Sequence, residues 1–204
     1  MKSLSLIALG FAVAATSYGG TISTPFASNT GGVGNFFDGT SLIASPVTVL
    51  GTFRVDANTT GTETFSVYYR PGTYAGFQAS SAGWTLLGTS TAVGQAPDTP
   101  TPINVGNSFV IGPGLTFGLY IVGDGKGLLY TDGNTTVSDA NLKLTLGSGS
   151  GNPAFASNFS LGRIWNGQLD YSLGGAAAAP EPAGIGLASL SLGLLLVLRR
   201  SRKR

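Results

Sequence analysis

The feature that most constrains the fold is the regular interruption of the chain between residues 20 and 175. Gly, Pro, Asn and Asp break it about every ten residues, and the segments between these breaks alternate apolar and polar side chains. No segment there repeats its apolar residues with the period of a helix. Short alternating segments of this kind are typical of antiparallel strands. We therefore predict a single all-β domain, an antiparallel β-sandwich or jelly roll.

The clearest strand is predicted over residues 62–70, where Phe65 and Val67 face one side and Ser66 and Tyr68 face the other. Further strands are predicted over residues 46–56, 84–89, 108–111, 115–122, 128–131, 141–147 and 164–173.

Three segments are predicted to lack regular structure. Residues 19–40 are rich in Gly, Ser, Thr and Asn, and we expect one short strand there at most. Residues 95–102 contain three prolines and are predicted to form a loop. Residues 147–158 are rich in Gly, Ser and Asn, and are also predicted to form a loop.

Two apolar segments outside this domain are predicted to direct export. Lys2 precedes the apolar run of residues 4–15, and Ala12 and Ala14 near its end are small residues at cleavage spacing, so residues 1–19 are predicted to be a secretory signal peptide. Residues 183–198 carry no charge, and as a helix these sixteen residues would be roughly 24 Å long, a little short of a hydrocarbon core of about 30 Å, so we predict a brief transmembrane helix. Its basic end would stay on the cytoplasmic side of the membrane, and consists of Arg199, Arg200, Arg202, Lys203 and Arg204.

The linker of residues 176–182 ends in Pro180, Glu181 and Pro182, directly before the predicted transmembrane helix. This order of a Pro-Glu-Pro motif, an apolar span and an Arg-rich end resembles the PEP-CTERM sorting signal of Gram-negative bacteria. The resemblance implies a precursor anchored in the inner membrane. It also implies processing by an exosortase near the motif, and a final location at the cell surface or outside the cell. The alternative is an ordinary membrane anchor in which the motif is only a linker.

Three segments within the domain resemble a β-rich module of bacterial extracellular proteins. They are Val-Tyr-Tyr-Arg-Pro-Gly-Thr-Tyr at residues 67–74, Trp-Thr-Leu-Leu-Gly at residues 84–88 and Ile-Trp-Asn-Gly at residues 164–167. This second resemblance implies a fold and an extracellular location, and it implies no particular chemistry.

Charge and composition exclude several classes of function. Residues 20–175 contain five basic and eight acidic residues, so the domain has no basic surface for nucleic acid. The chain contains no Cys and no His. Zinc sites built on these residues, cysteine nucleophiles and triads with a histidine base are therefore excluded.

Carboxylates supply two weaker hypotheses. Glu63 and Asp170 are the acids that we consider for a polysaccharide hydrolase, since glycoside hydrolysis uses paired carboxylates. Asp124, Asp132 and Asp139 are candidate calcium ligands, but their spacing does not match an EF-hand loop, and each lies in a turn where Asp is common. We predict no cofactor.

Aromatic residues supply the remaining candidate site. Tyr68, Tyr74, Trp84 and Trp165 would form a platform for stacking on sugars if their rings face solvent. The competing interpretation is that these rings fill the core of the sandwich, which we favour.

The sequence therefore predicts a non-enzymatic, exported surface or extracellular-matrix protein. Its role would be structural or adhesive, within the cell envelope or an exopolysaccharide layer. The first alternative is a carbohydrate-binding module, and the less favoured one is a polysaccharide hydrolase.

Overall fold

The computed structural model describes residues 19–151 and 153–174, and all of the regular elements in these ranges are β-strands. The predicted sorting motif, transmembrane helix and basic tail lie outside the described residues, as does the predicted signal peptide apart from Gly19. Among the described residues, no helix has the length and hydropathy needed to cross a membrane. The strands are β1 Gly19–Ser23, β2 Thr30–Gly32, β3 Gly34–Ser41, β4 Val47–Asp56, β5 Thr62–Pro71, β6 Thr85–Val93, β7 Pro100–Asn104, β8 Phe109–Ile111, β9 Thr116–Gly123, β10 Leu128–Asp132, β11 Thr135–Ser138, β12 Leu142–Ser150, β13 Phe159–Leu161, β14 Arg163–Trp165 and β15 Gly167–Leu173.

The strands form three antiparallel sheets. A five-stranded sheet has the order β1-β15-β4-β7, with β8 also paired to β4. A seven-stranded sheet has the order β11-β12-β3-β9-β5-β6, with β13 also paired to β12. A three-stranded sheet has the order β14-β10-β2. The prediction of an all-β antiparallel domain is confirmed.

One hydrophobic core joins the two large sheets. It contains Val49 and Phe53 from the five-stranded sheet, and Phe37, Val67 and Leu119 from the seven-stranded sheet, all at most 1% exposed. Alternate residues of a strand face opposite sides of its sheet, so each sheet presents one apolar face to this core. This packing is consistent with the predicted β-sandwich.

The prediction for residues 19–40 is wrong, because this segment contains three strands. β3 is central in its sheet and pairs with both β9 and β12. The Gly and Asp residues of β3 have low strand propensity, which concealed the strand in the sequence. The structure needs a glycine at position 39, since a Cβ there would overlap the ring of Phe117 on β9.

Two predicted loops are also partly wrong. Pro100 and Pro102 lie in β7, which occupies one edge of the five-stranded sheet and pairs with β4 alone. Because the two prolines are two residues apart, both can turn their ring nitrogens toward the open edge, where no N–H is needed. β12 continues to Ser150 through a bulge between Leu146 and Ser148, and so extends into the second predicted loop.

Candidate functional site

The outer face of the seven-stranded sheet carries a second aromatic group, separate from the core. β3, β9 and β5 alternate so that Phe37, Leu119 and Val67 point into the core while their neighbours point outward. The strand register places Phe36 beside Tyr120, and Tyr120 beside Tyr68. The rings of Phe36 and Tyr120 stack with centroids 3.8 Å apart, and those of Tyr120 and Tyr68 are 6.0 Å apart.

Two loops complete this group. The loop after β5 brings Tyr74 to 6.1 Å and Trp84 to 5.7 Å from the ring of Phe36. The loop after β12 brings Phe155 edge-on to the ring of Tyr120 at 4.9 Å. We call the six residues Phe36, Tyr68, Tyr74, Trp84, Tyr120 and Phe155 the outer aromatic face.

Exposure differs across the outer aromatic face. Phe36 and Tyr120 are buried, whereas Tyr68, Tyr74 and Trp84 are half-buried. Burial raises the pKa of Tyr120 to about 12, and its hydroxyl shares a hydrogen bond with the Ser150 hydroxyl at 2.8 Å. Two buried rings thus support half-buried rings that remain in contact with solvent.

A row of polar residues borders the outer aromatic face. The register places Asp38 of β3 and Arg70 of β5 on either side of Gly118 of β9. Asp38 accepts hydrogen bonds from the Thr73 hydroxyl at 2.6 Å and the Tyr74 backbone N–H at 2.8 Å. Burial raises the pKa of Asp38, although these hydrogen bonds and the nearby Arg70 partly offset that shift. The carboxylate thereby attaches the loop after β5 to the sheet.

The predicted sugar-stacking residues divide into two sets. The structure brings Tyr68, Tyr74 and Trp84 together on the outer aromatic face. Trp165 lies elsewhere, in the core between the two large sheets, where it is 1% exposed and stacks on Phe37 at 4.6 Å. Trp165 therefore fills the core, in agreement with the interpretation that we favoured, and its enclosed ring cannot reach a sugar.

The candidate calcium ligands are not brought together. Asp124 accepts a hydrogen bond from a backbone N–H of β5 at 3.1 Å. Asp132 forms an ion pair with Arg163 at 2.9 Å. Asp139 accepts hydrogen bonds from the backbone at the start of β12 and from the Tyr171 hydroxyl. The three carboxylates have separate partners, and within residues 19–151 and 153–174 no three acidic residues gather as a metal site would require.

Glu63 is 4% exposed, and its carboxylate stabilises a turn of the fold. It accepts hydrogen bonds from three consecutive backbone N–H groups in the turn between β9 and β10, those of Gly125, Lys126 and Gly127, at 2.5 to 3.1 Å. A carboxylate that holds a turn in this way is not free to act on a substrate.

Asp170 lies on the five-stranded sheet, away from this turn. It accepts hydrogen bonds from the hydroxyls of Thr21 and Thr52 at 2.6 and 3.0 Å, and pairs with Arg54 at 3.4 Å. Thr52, Arg54 and Asp170 border a surface pocket of about 220 Å³, which is also lined by Asn104. Glu63 is not among the residues that line this pocket, so it does not combine the two carboxylates of the hydrolase hypothesis.

Sequence reasoning missed Asp56, which lies fully buried at the end of β4. The backbone N–H of Asp98 donates to Asp56 at 3.0 Å, and the carboxylate of Asp98 accepts hydrogen bonds from the backbone N–H and hydroxyl of Ser28. Burial raises the pKa of Asp56 to about 6, whereas the Ser28 hydrogen bonds lower the pKa of Asp98. The pKa values of these two neighbouring carboxyl groups are therefore shifted in opposite directions.

The raised pKa of Asp56 predicts a specific pH dependence of stability. Between about pH 4 and pH 6 the folded state binds more protons than the unfolded state, so stability falls as pH rises through this window. We expect Asp56 to contribute about 1 to 2 kcal/mol more to the free energy of unfolding at pH 4.5 than at pH 7.5, a figure that is reduced for screening by solvent. Asp56→Asn should remove most of this difference in urea unfolding, and Asp132→Asn should not. An unchanged pH difference in Asp56→Asn would contradict the assignment.

Sequence reasoning also missed Phe36, Tyr120, Phe155 and Arg70 as neighbours of the predicted sugar-stacking residues. The alternation of β5 already placed Tyr68 on the face opposite Val67, and Arg70 continues that face two residues later. Phe36 could not be placed from the sequence, because β3 itself was not predicted.

Comparisons with known proteins leave the family open. No family model matches the chain, and no curated protein matches it. Two solved structures are similar over 88% of this chain: infectious bursal disease virus, Gx strain, at 15% identity, and T=1 particles derived from infectious bursal virus, at 17% identity. The TM-score is 0.24 for each, and the chain spans 46% and 45% of the length of the viral chains. Similarity at this level carries no argument about the fold or the function.

Proposed function

We propose that the chain is an exported, non-enzymatic surface protein with a structural or adhesive role in the cell envelope or an exopolysaccharide layer. Its exported part would be a β-sandwich of jelly-roll type, delivered by the signal peptide and processed by an exosortase near Glu181. The observation that carries the proposal is the order of motif, apolar span and basic end over residues 180–204. No contact with nucleic acid is part of the proposal.

The geometry of the carboxylates supports a binding role over hydrolysis. Glycoside hydrolysis in most families uses two carboxyl groups that flank one bond of the substrate. Here Glu63 is enclosed by backbone N–H groups of a turn, and Asp170 is paired with Arg54 on a different sheet. Both acids contribute to the fold, and neither is available with a partner acid.

The proposal is tested by measuring how much of the protein co-purifies with extracellular polysaccharide. Wild-type chain should appear in that fraction, and Glu181→Ala should remain with the inner membrane because the sorting motif is lost. Asp124→Asn is the control, because it removes an exposed carboxylate outside the motif, and its mature form should still reach the polysaccharide. Equal distribution of wild type and Glu181→Ala would oppose the proposal.

A second candidate, a carbohydrate-binding module, is favoured by the outer aromatic face. Tyr68, Tyr74 and Trp84 are half-buried and lie together, as rings that stack on a sugar must. The indole N–H of Trp84 donates to the backbone carbonyl of Phe77 at 3.0 Å. This hydrogen bond at the edge of the indole fixes its orientation, and the ring stays partly exposed to solvent.

We expect Trp84→Ala to weaken binding to the saccharide of the extracellular layer by roughly tenfold or more, the effect of losing one well-placed aromatic contact. Val110→Ala is a suitable control, because Val110 is 62% exposed on β8 of the other large sheet. Glycan-array binding measures both variants. Equal binding by wild type and Trp84→Ala would remove the aromatic face from consideration.

A further inference from the structure

Arg70 is the most unusual charged residue of the outer aromatic face. It follows Tyr68 by two residues on β5, so both side chains lie on the outer side of the sheet. Arg70 is only 9% exposed. Its guanidinium carbon lies 3.3 Å from the ring centroid of Phe77 and 5.8 Å from that of Trp84. The cation is thus enclosed between two aromatic side chains of the loop after β5.

This buried cation has no anionic partner among the described residues. Their two ion pairs use the other arginines, Arg54 and Arg163. Nε of Arg70 is fully enclosed and makes no hydrogen bond, and the terminal nitrogens, which also make none in residues 19–151 and 153–174, reach solvent. Buried charges are normally paired, because leaving water without a partner is costly. The missing partner is therefore the observation that indicates a ligand.

The nearest carboxylate, that of Asp38, does not fill this role. Arg70 lowers the pKa of Asp38 through space, but the two side chains form no ion pair, and both Asp38 oxygens accept hydrogen bonds from Thr73 and Tyr74 of the loop. Gly118 separates the two residues across the row. A Cβ at position 118 would lie 3.0 Å from Cγ of Arg70 and from the backbone nitrogen of Tyr74, so glycine gives the arginine its room.

We propose that Arg70 binds the carboxylate of an acidic saccharide, a uronic acid residue, whose sugar ring lies against Trp84 and the neighbouring half-buried tyrosines. A guanidinium presents parallel N–H donors that match a carboxylate, and this geometry favours carboxylates over neutral hydroxyls. The adjacent rings favour a sugar over a small free anion, because a small anion would leave them without contact. This inference rests on the proposed carbohydrate binding and names the class of saccharide.

The test is isothermal titration calorimetry on the full chain in detergent micelles, with tetragalacturonic acid as the probe. Its fully methyl-esterified form is the matched neutral ligand, since ring shape and linkage are kept while the charge is removed. Wild-type chain should bind the acid at least about tenfold more tightly than the ester, as expected for one charge-assisted contact. Arg70→Gln should remove this preference. A cooperative thermal unfolding transition of Arg70→Gln is the check that this variant is folded.

Arg163→Gln is the matched control variant. Arg163 also lies over an aromatic ring, that of Tyr130, at 5.8 Å, but its charge is already paired with Asp132. It should retain the preference for the acid. Even where Arg70→Gln fails to fold, equal affinity of the wild-type chain for the acid and the ester would still overturn the role of Arg70.

The possible results separate this inference from the function on which it rests. Equal affinity for acid and ester in wild type would overturn the role of Arg70 while leaving saccharide binding intact. Sulfate binding as tight as the acid, and lost in Arg70→Gln, would overturn a saccharide ligand in favour of a simple anion site. Absence of binding to acid, ester and native polysaccharide alike would overturn both the inference and the carbohydrate-binding function.

Discussion

Trp165→Ala is expected to lower the free energy of unfolding by about 3 to 5 kcal/mol, one of the largest effects available in the described domain. Trp165 is 1% exposed, stacks on Phe37 at 4.6 Å, and its backbone carbonyl accepts a hydrogen bond from the Thr24 hydroxyl at 2.6 Å. Removal of the indole would leave a cavity between the two large sheets that the surrounding residues cannot fill. Urea unfolding of the full chain in detergent, followed by circular dichroism, measures the change.

Trp165→Phe and Trp84→Ala are the controls for this prediction. Trp165→Phe keeps a ring against Phe37 and removes an indole N–H that has no hydrogen-bond partner in the described structure, so it should cost much less than Trp165→Ala. Trp84→Ala should destabilise less as well, because that side chain is half-buried. If Trp84→Ala proved the more damaging substitution, the assignment of Trp165 to the core would be contradicted.

Glu63→Gln is expected to lower the free energy of unfolding by about 2 to 4 kcal/mol. The carboxylate accepts hydrogen bonds from Gly125, Lys126 and Gly127, whose donors need acceptors on both of its oxygens. An amide offers one acceptor oxygen and turns an NH₂ group toward a backbone N–H, which leaves at least one part-buried donor unsatisfied. Hydrogen exchange of the Gly125 and Gly127 amides should accelerate in the same variant, which locates the effect in the turn between β9 and β10.

Asp124→Asn is the matched control for this second prediction. Asp124 lies in the same turn and accepts one hydrogen bond from the Thr64 backbone N–H at 3.1 Å, at an exposed position. An asparagine oxygen can accept that bond, so the effect should stay below about 1 kcal/mol. Equal unfolding midpoints for wild type and Glu63→Gln would contradict the structural role of Glu63.

The strands with clear alternation could be predicted from the sequence, because a period of two depends only on which face of a sheet is buried. β4 and β5 are examples, and both occur close to their predicted bounds. β3 could not be predicted, because both of its faces are largely buried and its glycines suit close packing rather than strand propensity. β7 was concealed by prolines that only an edge strand tolerates.

The candidate site was predictable only in part, because it depends on which sheet face each side chain occupies. Tyr68, Tyr74 and Trp84 were singled out by residue type, but residue type alone could not separate them from Trp165. That separation depends on which face of a sheet each ring occupies. The roles of Glu63 and Arg70 depend on contacts with a turn and a loop 62 residues and 7 residues away in sequence, respectively. Contacts between an element and a separate turn or loop leave no local pattern in the chain.

The central claim is that the protein is exported and sorted through its C-terminal signal. Its most direct test is to measure the intact mass of the protein recovered from the native envelope and medium. The account predicts a mature chain that lacks about the first 14 to 20 residues and everything beyond about Pro182, as signal cleavage and exosortase processing require. It also predicts that Glu181→Ala retains its C-terminal segment. A mature wild-type protein that still carries residues 183–204 would contradict the account, and would identify the chain as a simple membrane-anchored domain.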